Sequence, residues 1–367
     1  MSIKTLGILG GGQLGRMSVL AAARLGIKCV VLSPEDDSPA SHVAWKTIVA
    51  DYADHFALKA LSDLTDVISY EFENIPVSTV DILNSLKPNS VFPSKALLEV
   101  SQDRLAEKAF LNGLGIETAR WTAVQTLEDI TEAVQGWRSD SFVLKTTRFG
   151  YDGKGQIFCP ASGINDNRGL FAFLESHSEV QLILEDGISF TDEVSVIVAR
   201  DRAGKTAVYG PMLNEHRNHI LHRTTVPAPH NLELCAKAVQ ITRLVAEAVD
   251  LVGVLTVEFF VTRNGRLLAN EIAPRTHNSG HWTIDACAVS QFDQHIRTVC
   301  GFPVGSPERH SDAVMLNLIG ADVLDSEKYL NQKNACLHLY GKQDVREGRK
   351  MGHVTFLEER KDDKNCC

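Results

Sequence analysis

The stretch VLTVEFFVTRNGRLLANEIAPRTHNSGHW, residues 254–282, holds residue types whose spacing could do chemistry. Two apolar-rich segments flank Asn264-Gly265, and an Asn-Gly pair favours a two-residue type I′ hairpin because both central positions need φ > 0. That turn sets Glu258 directly opposite Glu271, with Cβ atoms about 4.5–5.5 Å apart. Val257, Phe259, Val261, Leu268 and Ile272 then form the apolar face, and Asn270 falls on the face away from the glutamates. Facing carboxylates repel each other. The pair is tolerable if solvent screens it, if one proton is shared, or if a cation bridges it; Mg²⁺ suits the third case where phosphates are present.

The residues that follow, Arg275, His277, Asn278, Ser279 and His281, are dense in donors and suit an anion held beside a metal. Lys145 ends an apolar segment, and a loop containing Gly150, Gly153 and Gly155 follows within ten residues. Backbone N–H groups of such a loop can wrap a polyphosphate while the lysine supplies a point charge. Tyr151, Asp152 and Lys154 lie among those glycines. The junction from Glu185 through Asp186 and Gly187 to Ile188, with Glu193 beyond, could offer backbone groups to an adenine and a carboxylate to ribose hydroxyls. Taken alone, His216 reads as a solvent-facing or capping residue. Lys342, Arg346, Arg349 and Lys350 make a basic loop suited to a phosphate monoester.

Gly10 to Gly15, GGGQLG, lies between a strand pattern and a helix pattern. It reads as a generic anion-binding turn. A nicotinamide-dependent oxidoreductase is the competing reading, with Glu35 near the ribose position, but Pro34 directly before it departs from that pattern.

These candidates must be positioned by three units. Strands over 3–9, 29–32, 43–49 and 66–70 alternate with helices ending near Leu25 and over 56–61 and 77–86, giving an α/β, doubly wound domain assigned to 1–98. Ser94 caps a helical stretch running through Leu111. Residues 99–186 read as a small α+β lobe. From 187 to 367, strands and helices near 232–249 and 286–299 read as a mostly antiparallel sheet with helices against it, and the polar tail EERKDDKNCC is expected to be disordered.

Composition narrows the function. At 367 residues with 44% hydrophobic and 23% charged, the chain reads as a soluble globular protein. A net charge of −9 disfavours nucleic acid as a partner. The chain lacks an apolar run of membrane-spanning length and enters a strand pattern at once, so a cytoplasmic location is expected. The eight cysteines show no CxxC spacing, which argues against zinc and against a disulfide framework.

Taken in order, ILGGGQLGRM, EFENIP, QDR, VLKT with FGYDGKGQ, LED to DEVS, NEIAPRTHNSGHW, SQFDQH and VREGRKMGH resemble the ATP-grasp superfamily across nearly the whole chain. Within it they resemble the branch that carboxylates 5-aminoimidazole ribonucleotide in purine biosynthesis. The resemblance implies an ATP-grasp architecture: an N-terminal doubly wound (pre-ATP-grasp) domain, a small α+β lid lobe, and a C-terminal mostly antiparallel lobe. It implies a ligase that uses ATP, Mg²⁺ and bicarbonate by way of carboxyphosphate, and a homodimer. By the same resemblance ATP is held by Arg104, Lys145, Gly150, Tyr151, Asp152, Gly153, Lys154, Gly155, Gln156, Glu185, Asp186, Gly187, Ile188, Glu193, His216, Asn270 and Glu271. Mg²⁺ sits on Glu258 and Glu271, and Arg275, His277 and Lys145 serve the chemistry. Gln13, Leu14, Glu73, Tyr151, Asp152, Asn278, Ser279, Lys342, Arg346, Arg349 and Lys350 meet the ribonucleotide. His219 stands where the family has a glycine. Because carboxyphosphate is unstable in water, the glycine loop is expected to close as a lid. The remaining alternative is another ATP-grasp carboxylate-amine ligase or carboxylase with a different acceptor site.

Overall fold

A computed structural model describes residues 4–148, 150 and 154–361. The chain opens with β1 (Thr5–Leu9), α1 (Gln13–Arg24), β2 (Lys28–Ser33), β3 (Lys46–Val49), α2 (His55–Leu64), β4 (Val67–Tyr70) and α3 (Val77–Leu86). The four strands form a parallel sheet in the order β3-β2-β1-β4. Successive side chains of a strand point to opposite faces. Leu6 and Ile8 therefore pack with Met17 and Ala22 of α1, while Leu9 packs with Leu58 and Leu61 of α2.

The single helix expected from Ser94 to Leu111 is two helices, α4 (Lys95–Gln102) and α5 (Arg104–Gly113). Asp103 divides them. Its backbone is extended and its carboxylate accepts from Leu105 N and Ala106 N, so it caps a new helix instead of continuing the old one. The break leaves Arg104 at the head of α5, tied by its N–H to Thr147 O at 2.9 Å.

A small lobe follows: β5 (Trp121–Val124), α6 (Leu127–Trp137), β6 (Ser141–Thr146), β7 (Gln156–Pro160), α7 (Arg168–Ser176) and β8 (Leu182–Asp186), with antiparallel strand order β5-β8-β6-β7. Tyr151, Asp152 and Gly153, and with them part of the expected lid, lie outside the described residues, as do 362–367 of the tail.

The rest builds β9 (Phe190–Arg200), β10 (Thr206–Arg217), β11 (Ile220–Val226), α8 (Leu232–Ala248), β12 (Gly253–Thr262), β13 (Leu267–Ala273), α9 (Thr283–Ala286), α10 (Gln291–Val299), β14 (Ser311–Ile319), β15 (Ala335–Leu339) and β16 (Lys350–Glu359). Eight antiparallel strands run in the order β13-β12-β9-β10-β11-β14-β16-β15. Val194, Val196 and Val198 of β9 face a core with α8, and Ile197 and Ala199 face a second core around Trp282. Helix α10 crosses to the first domain, where Phe292 and Ile296 join the α1 layer.

The central hairpin differs from expectation. The turn spans three residues, Arg263 to Gly265, with Gly265 at φ 75° and Thr262 N donating to Arg266 O. Near the turn Val261 therefore pairs with Leu267 and Phe259 with Ala269, one residue out of the expected register. A β-bulge at Asn270 restores it, and Glu258 pairs with Glu271. The shift also sends Leu267 into the core where Leu268 was expected. The two-residue loop with both positions at φ > 0 occurs between β10 and β11, at Asn218 (50°) and His219 (64°). His219 thus adopts a left-handed conformation of the kind that favours glycine.

Candidate active site

The three units meet around a cleft of about 770 Å³. One wall is the β12–β13 hairpin. Glu258 and Glu271 face each other there because the bulge turns Glu271 to the cleft face that Glu258 already occupies. His277 Nε2 stands 2.9 Å from Glu258 Oε1, and its Nδ1 lies 2.8 Å from Ser279 Oγ. Burial by itself would raise the Glu258 carboxyl, but the hydrogen bond and charge of His277 outweigh it and hold it below the usual carboxylate range. Glu271 moves the other way, raised by burial and then by the charge of Glu258, with Arg104 Nη1 3.6 Å away. One low and one raised carboxyl, face to face on the cleft wall, form an all-oxygen donor set whose repulsion a hard divalent cation would relieve.

The opposite wall comes from the first domain. Glu73, just past β4, forms a two-point ion pair with Arg275, with Nη2 to Oε1 at 2.9 Å and Nε to the other oxygen. Burial opposes the Glu73 charge, but Arg275 outweighs it and holds the carboxyl low. Gln13 and Leu14 line the cleft beside Glu73.

The glycine turn before α1 is not an open anion site. Glu71 fills it, accepting from Gly12 N and from Gly15 N at 2.6 Å. A Cβ at Gly12 would stand 2.7 Å from Glu71 Oε1, so the glycines admit the chain's own carboxylate. This corrects the expectation of a generic anion site at 10–15. It also removes the physical basis of the oxidoreductase reading, because a pyrophosphate would have to displace a buried carboxylate, and Glu35 is exposed on a loop.

The small lobe closes the third side. Lys145 on β6 reaches the cleft and bonds Glu185 Oε2 at 2.9 Å. Burial would raise the Glu185 carboxyl, but Lys108 and Lys145 outweigh it and hold it down to about 2. That carboxylate is therefore spent on lysines and not aimed at a sugar. Asp186 is turned away from the cleft by Arg120 Nε at 2.8 Å and Ser139 Oγ at 2.6 Å. Gly187 passes so close to Ser141 that a Cβ would meet its Oγ at 2.1 Å, and neither it nor Ile188 lines the cleft. Gly150, Lys154 and Gln156 do, whereas Gly155, at φ 70°, bonds Thr146 through its carbonyl. Glu193 and His216 sit together, Nδ1 3.1 Å from Oε1, and burial of the ring is outweighed by Glu193, which raises its pKa. His216 is therefore a cleft residue, not a capping one.

The basic loop divides. Lys350 opens β16 and lines the cleft. Lys342 is half-buried and donates to Lys350 O at 2.8 Å. Arg346 is exposed on its own Asp344, and Arg349 bonds Asp344 O, so neither lines the cleft. Asn278 lines it and shares two hydrogen bonds with Asn317; Ser279 lies beneath, bonded to Ser195 Oγ at 2.8 Å. Another cluster, Asp285, His338 and His353, brings ligand atoms within 4.8 Å of one another. The two imidazoles stack at 12°, so their planes cannot share one ion.

Sequence reasoning missed Glu71, Glu107, Lys108 and the Phe190–Phe260 stack, whose centroids are 4.6 Å apart on the cleft wall. The signal for the α5 pair was present: Glu107, Lys108 and Leu111 share one helical face, and that face is buried.

An antiparallel sheet bearing paired carboxylates, closed by a lysine-bearing small lobe and preceded by a doubly wound domain, defines an ATP-grasp ligase. Residues 3–102 match the ribonucleotide synthetase preATP-grasp domain, residues 109–292 the ATP-grasp domain, and residues 313–365 the phosphoribosylaminoimidazole carboxylase C-terminal domain. The chain is 49% identical over 356 residues to N5-carboxyaminoimidazole ribonucleotide synthase of Brucella melitensis, covering 97% of each protein. Its structure is similar to the ADP complex of an N5-carboxyaminoimidazole ribonucleotide synthetase (TM-score 0.91, 41% identity, 97% of this chain and 93% of the other). It is also similar to the Aspergillus clavatus synthase in complex with ADP and 5-aminoimidazole ribonucleotide (TM-score 0.87, 29% identity, 97% and 94% covered). The chain belongs to the N5-carboxyaminoimidazole ribonucleotide synthase family. Among the described residues, no helix is long and apolar enough to cross a membrane.

Proposed function

We propose that this chain carboxylates 5-aminoimidazole ribonucleotide with bicarbonate at the expense of ATP, giving N5-carboxyaminoimidazole ribonucleotide, ADP and phosphate in purine biosynthesis. The observation that carries the reading is the convergence on one cleft of the Glu258–Glu271 pair, Lys145 and the Glu73–Arg275 ion pair, contributed by three units of the fold.

In this reading a bicarbonate oxygen bonds to the γ-phosphorus as the bridging P–O bond breaks and ADP leaves. The exocyclic amine then bonds the carboxyphosphate carbon, the C–O bond to phosphate breaks, and the amine loses a proton. Lys145 and Arg104 offset phosphate charge, and Glu193 with His216 meets the nucleotide's sugar end. Arg275, held in its plane by Glu73, presents its remaining N–H donors to bicarbonate and to the charge that develops on carboxyphosphate. His277, held against Glu258 beside Arg275, helps orient the same anion. Glu258 and Glu271 fit Mg²⁺, which when bound would neutralise charge on the transferring phosphates. Gln13, Leu14 and Asn278, with Lys350 and the half-buried Lys342, face the ribonucleotide and its phosphate. The same reading makes the chain a cytoplasmic homodimer, to be checked by sedimentation.

The test is ADP release from Mg·ATP with and without 5-aminoimidazole ribonucleotide, in bicarbonate and in CO₂-depleted buffer. Stimulation requiring both compounds is expected. Indifference to the ribonucleotide would leave an ATP-grasp ligase with another acceptor.

A further inference from the structure

The Glu258–Glu271 pairing depends on one bulged residue. Between the turn and Phe259 the hairpin runs in a register that, continued, would set Asn270 opposite Glu258 and send Glu271 to the other face. A slip of one residue moves every side chain of a strand to the opposite face. Since β13 is the edge strand of its sheet, its outward side meets one bridge, Ala269 to Thr118, and no strand runs alongside to fix the bulge among the described residues.

Helix α5 supplies what the ladder does not. Lys108 Nζ donates to Asn270 O at 2.8 Å, on the bulged residue itself. Ile272 N donates to Glu107 Oε1 at 2.5 Å, on the other side of Glu271. Both side chains are buried, Lys108 at 2% exposure and Glu107 at 3%. They grip the backbone immediately before and immediately after Glu271. Before this grip, Ala269 N is taken by Glu117 O at 2.8 Å, so the edge is covered without interruption through the bulge.

We propose that Lys108 and Glu107 are positioning residues that hold the Asn270 bulge and so aim Glu271 at Glu258 for the divalent cation. This rests on the reading of Glu258 and Glu271 as the Mg²⁺ site. A competing role exists for Lys108, whose Nζ also lies 3.8 Å from Glu185, the partner of Lys145. A lysine acting through Lys145 would change nucleotide binding with or without metal. One acting through the bulge changes only the part of the affinity that metal supplies.

The experiment is calorimetric titration of the full chain with ADP, once with Mg²⁺ and once with EDTA, in wild type, Lys108→Met, Glu107→Gln and Glu107→Leu. The wild type is expected to bind ADP more tightly with Mg²⁺. Lys108→Met is expected to lose about tenfold or more of that gain, the usual effect of removing a group that orients a metal ligand. Its affinity in EDTA is expected to stay at the wild-type value. Glu107→Gln keeps an oxygen acceptor for Ile272 N and retains most of the Mg²⁺ gain, whereas Glu107→Leu loses it. If Lys108→Met does not fold, the two Glu107 variants carry the test. Retention of the full Mg²⁺ gain in Lys108→Met or Glu107→Leu overturns the proposal, and so does an equal loss of ADP affinity with and without metal. A wild type whose ADP affinity ignores Mg²⁺ overturns the metal reading beneath it, a result distinguishable from either.

Discussion

Glu71, buried, and Glu271, partly exposed, are carboxylates on two walls of one cleft, and loss of solvent raises the pKa of both. Their neighbours differ. Glu71 accepts from Gly15 N and Gly12 N, which pull it back toward the charged form; Glu271 faces Glu258, which pushes it further up. A carboxylate answered by the fold's own donors is a structural part, and one answered by a second carboxylate is waiting for a ligand. The largest effect should follow from breaking the second arrangement. Glu271→Gln is expected to lower kcat/KM for Mg·ATP by about 10²–10³-fold, the scale of removing one transition-state contact. Its melting temperature should equal or exceed that of the wild type, because the substitution removes a like-charge contact. ADP-release kinetics together with a thermal melt read both quantities, and a large loss of stability would contradict the contrast.

A smaller loss is expected from Arg275→Lys. The ammonium keeps the charge but not the planar fork that meets both oxygens of Glu73, and a misplaced group of this kind costs on the order of 10²-fold. The loss should appear in the bicarbonate dependence, with the KM for Mg·ATP unmoved. Glu71→Ala tests the other half of the comparison. It leaves Gly12 N and Gly15 N without their acceptor, at about 1–3 kcal/mol for each amide that stays dry. Urea unfolding should register that destabilisation while the Mg²⁺ requirement stays as in the wild type.

Much of this site was legible because its signals are local. An acidic residue on each strand of a hairpin, a lysine before a glycine loop and a donor-rich run after a glutamate are all short-range patterns. The turn chemistry was legible in kind but not in length: Asn264-Gly265 marked a hairpin, yet Gly265 closes a three-residue loop, and the register at Glu258 is recovered only by the bulge at Asn270. Two errors thus cancelled at the glutamates and did not cancel at Leu268. Contacts between distant segments were not legible. Glu71 lies 56 residues from Gly15, and Lys108 lies 162 from Asn270, so no local window could have joined them. The ion pair that turns the Asp186 side chain was hidden for the same reason, since Arg120, just before β5, lies 66 residues away.

The smallest effect concerns Lys342, where binding and stability should respond to pH in opposite directions. Burial, then the charge of Arg349, pushes its pKa down from 10.5 to about 8. Its ammonium is therefore present in the folded chain below pH 8 and lost above it. If it helps hold the ribonucleotide phosphate, the KM for that substrate should rise by up to about tenfold between pH 7 and 9, as the charged fraction falls. Stability runs the other way. Between pH 8 and 10.5 the unfolded chain binds more protons at this lysine than the folded chain does, so the lysine's contribution to stability rises with pH across that window. Lys342→Arg, charged throughout, should flatten the KM profile and leave the kcat profile unchanged. A KM profile that Lys342→Arg leaves as steep as the wild type's would place the pH dependence on another group and remove Lys342 from the phosphate site.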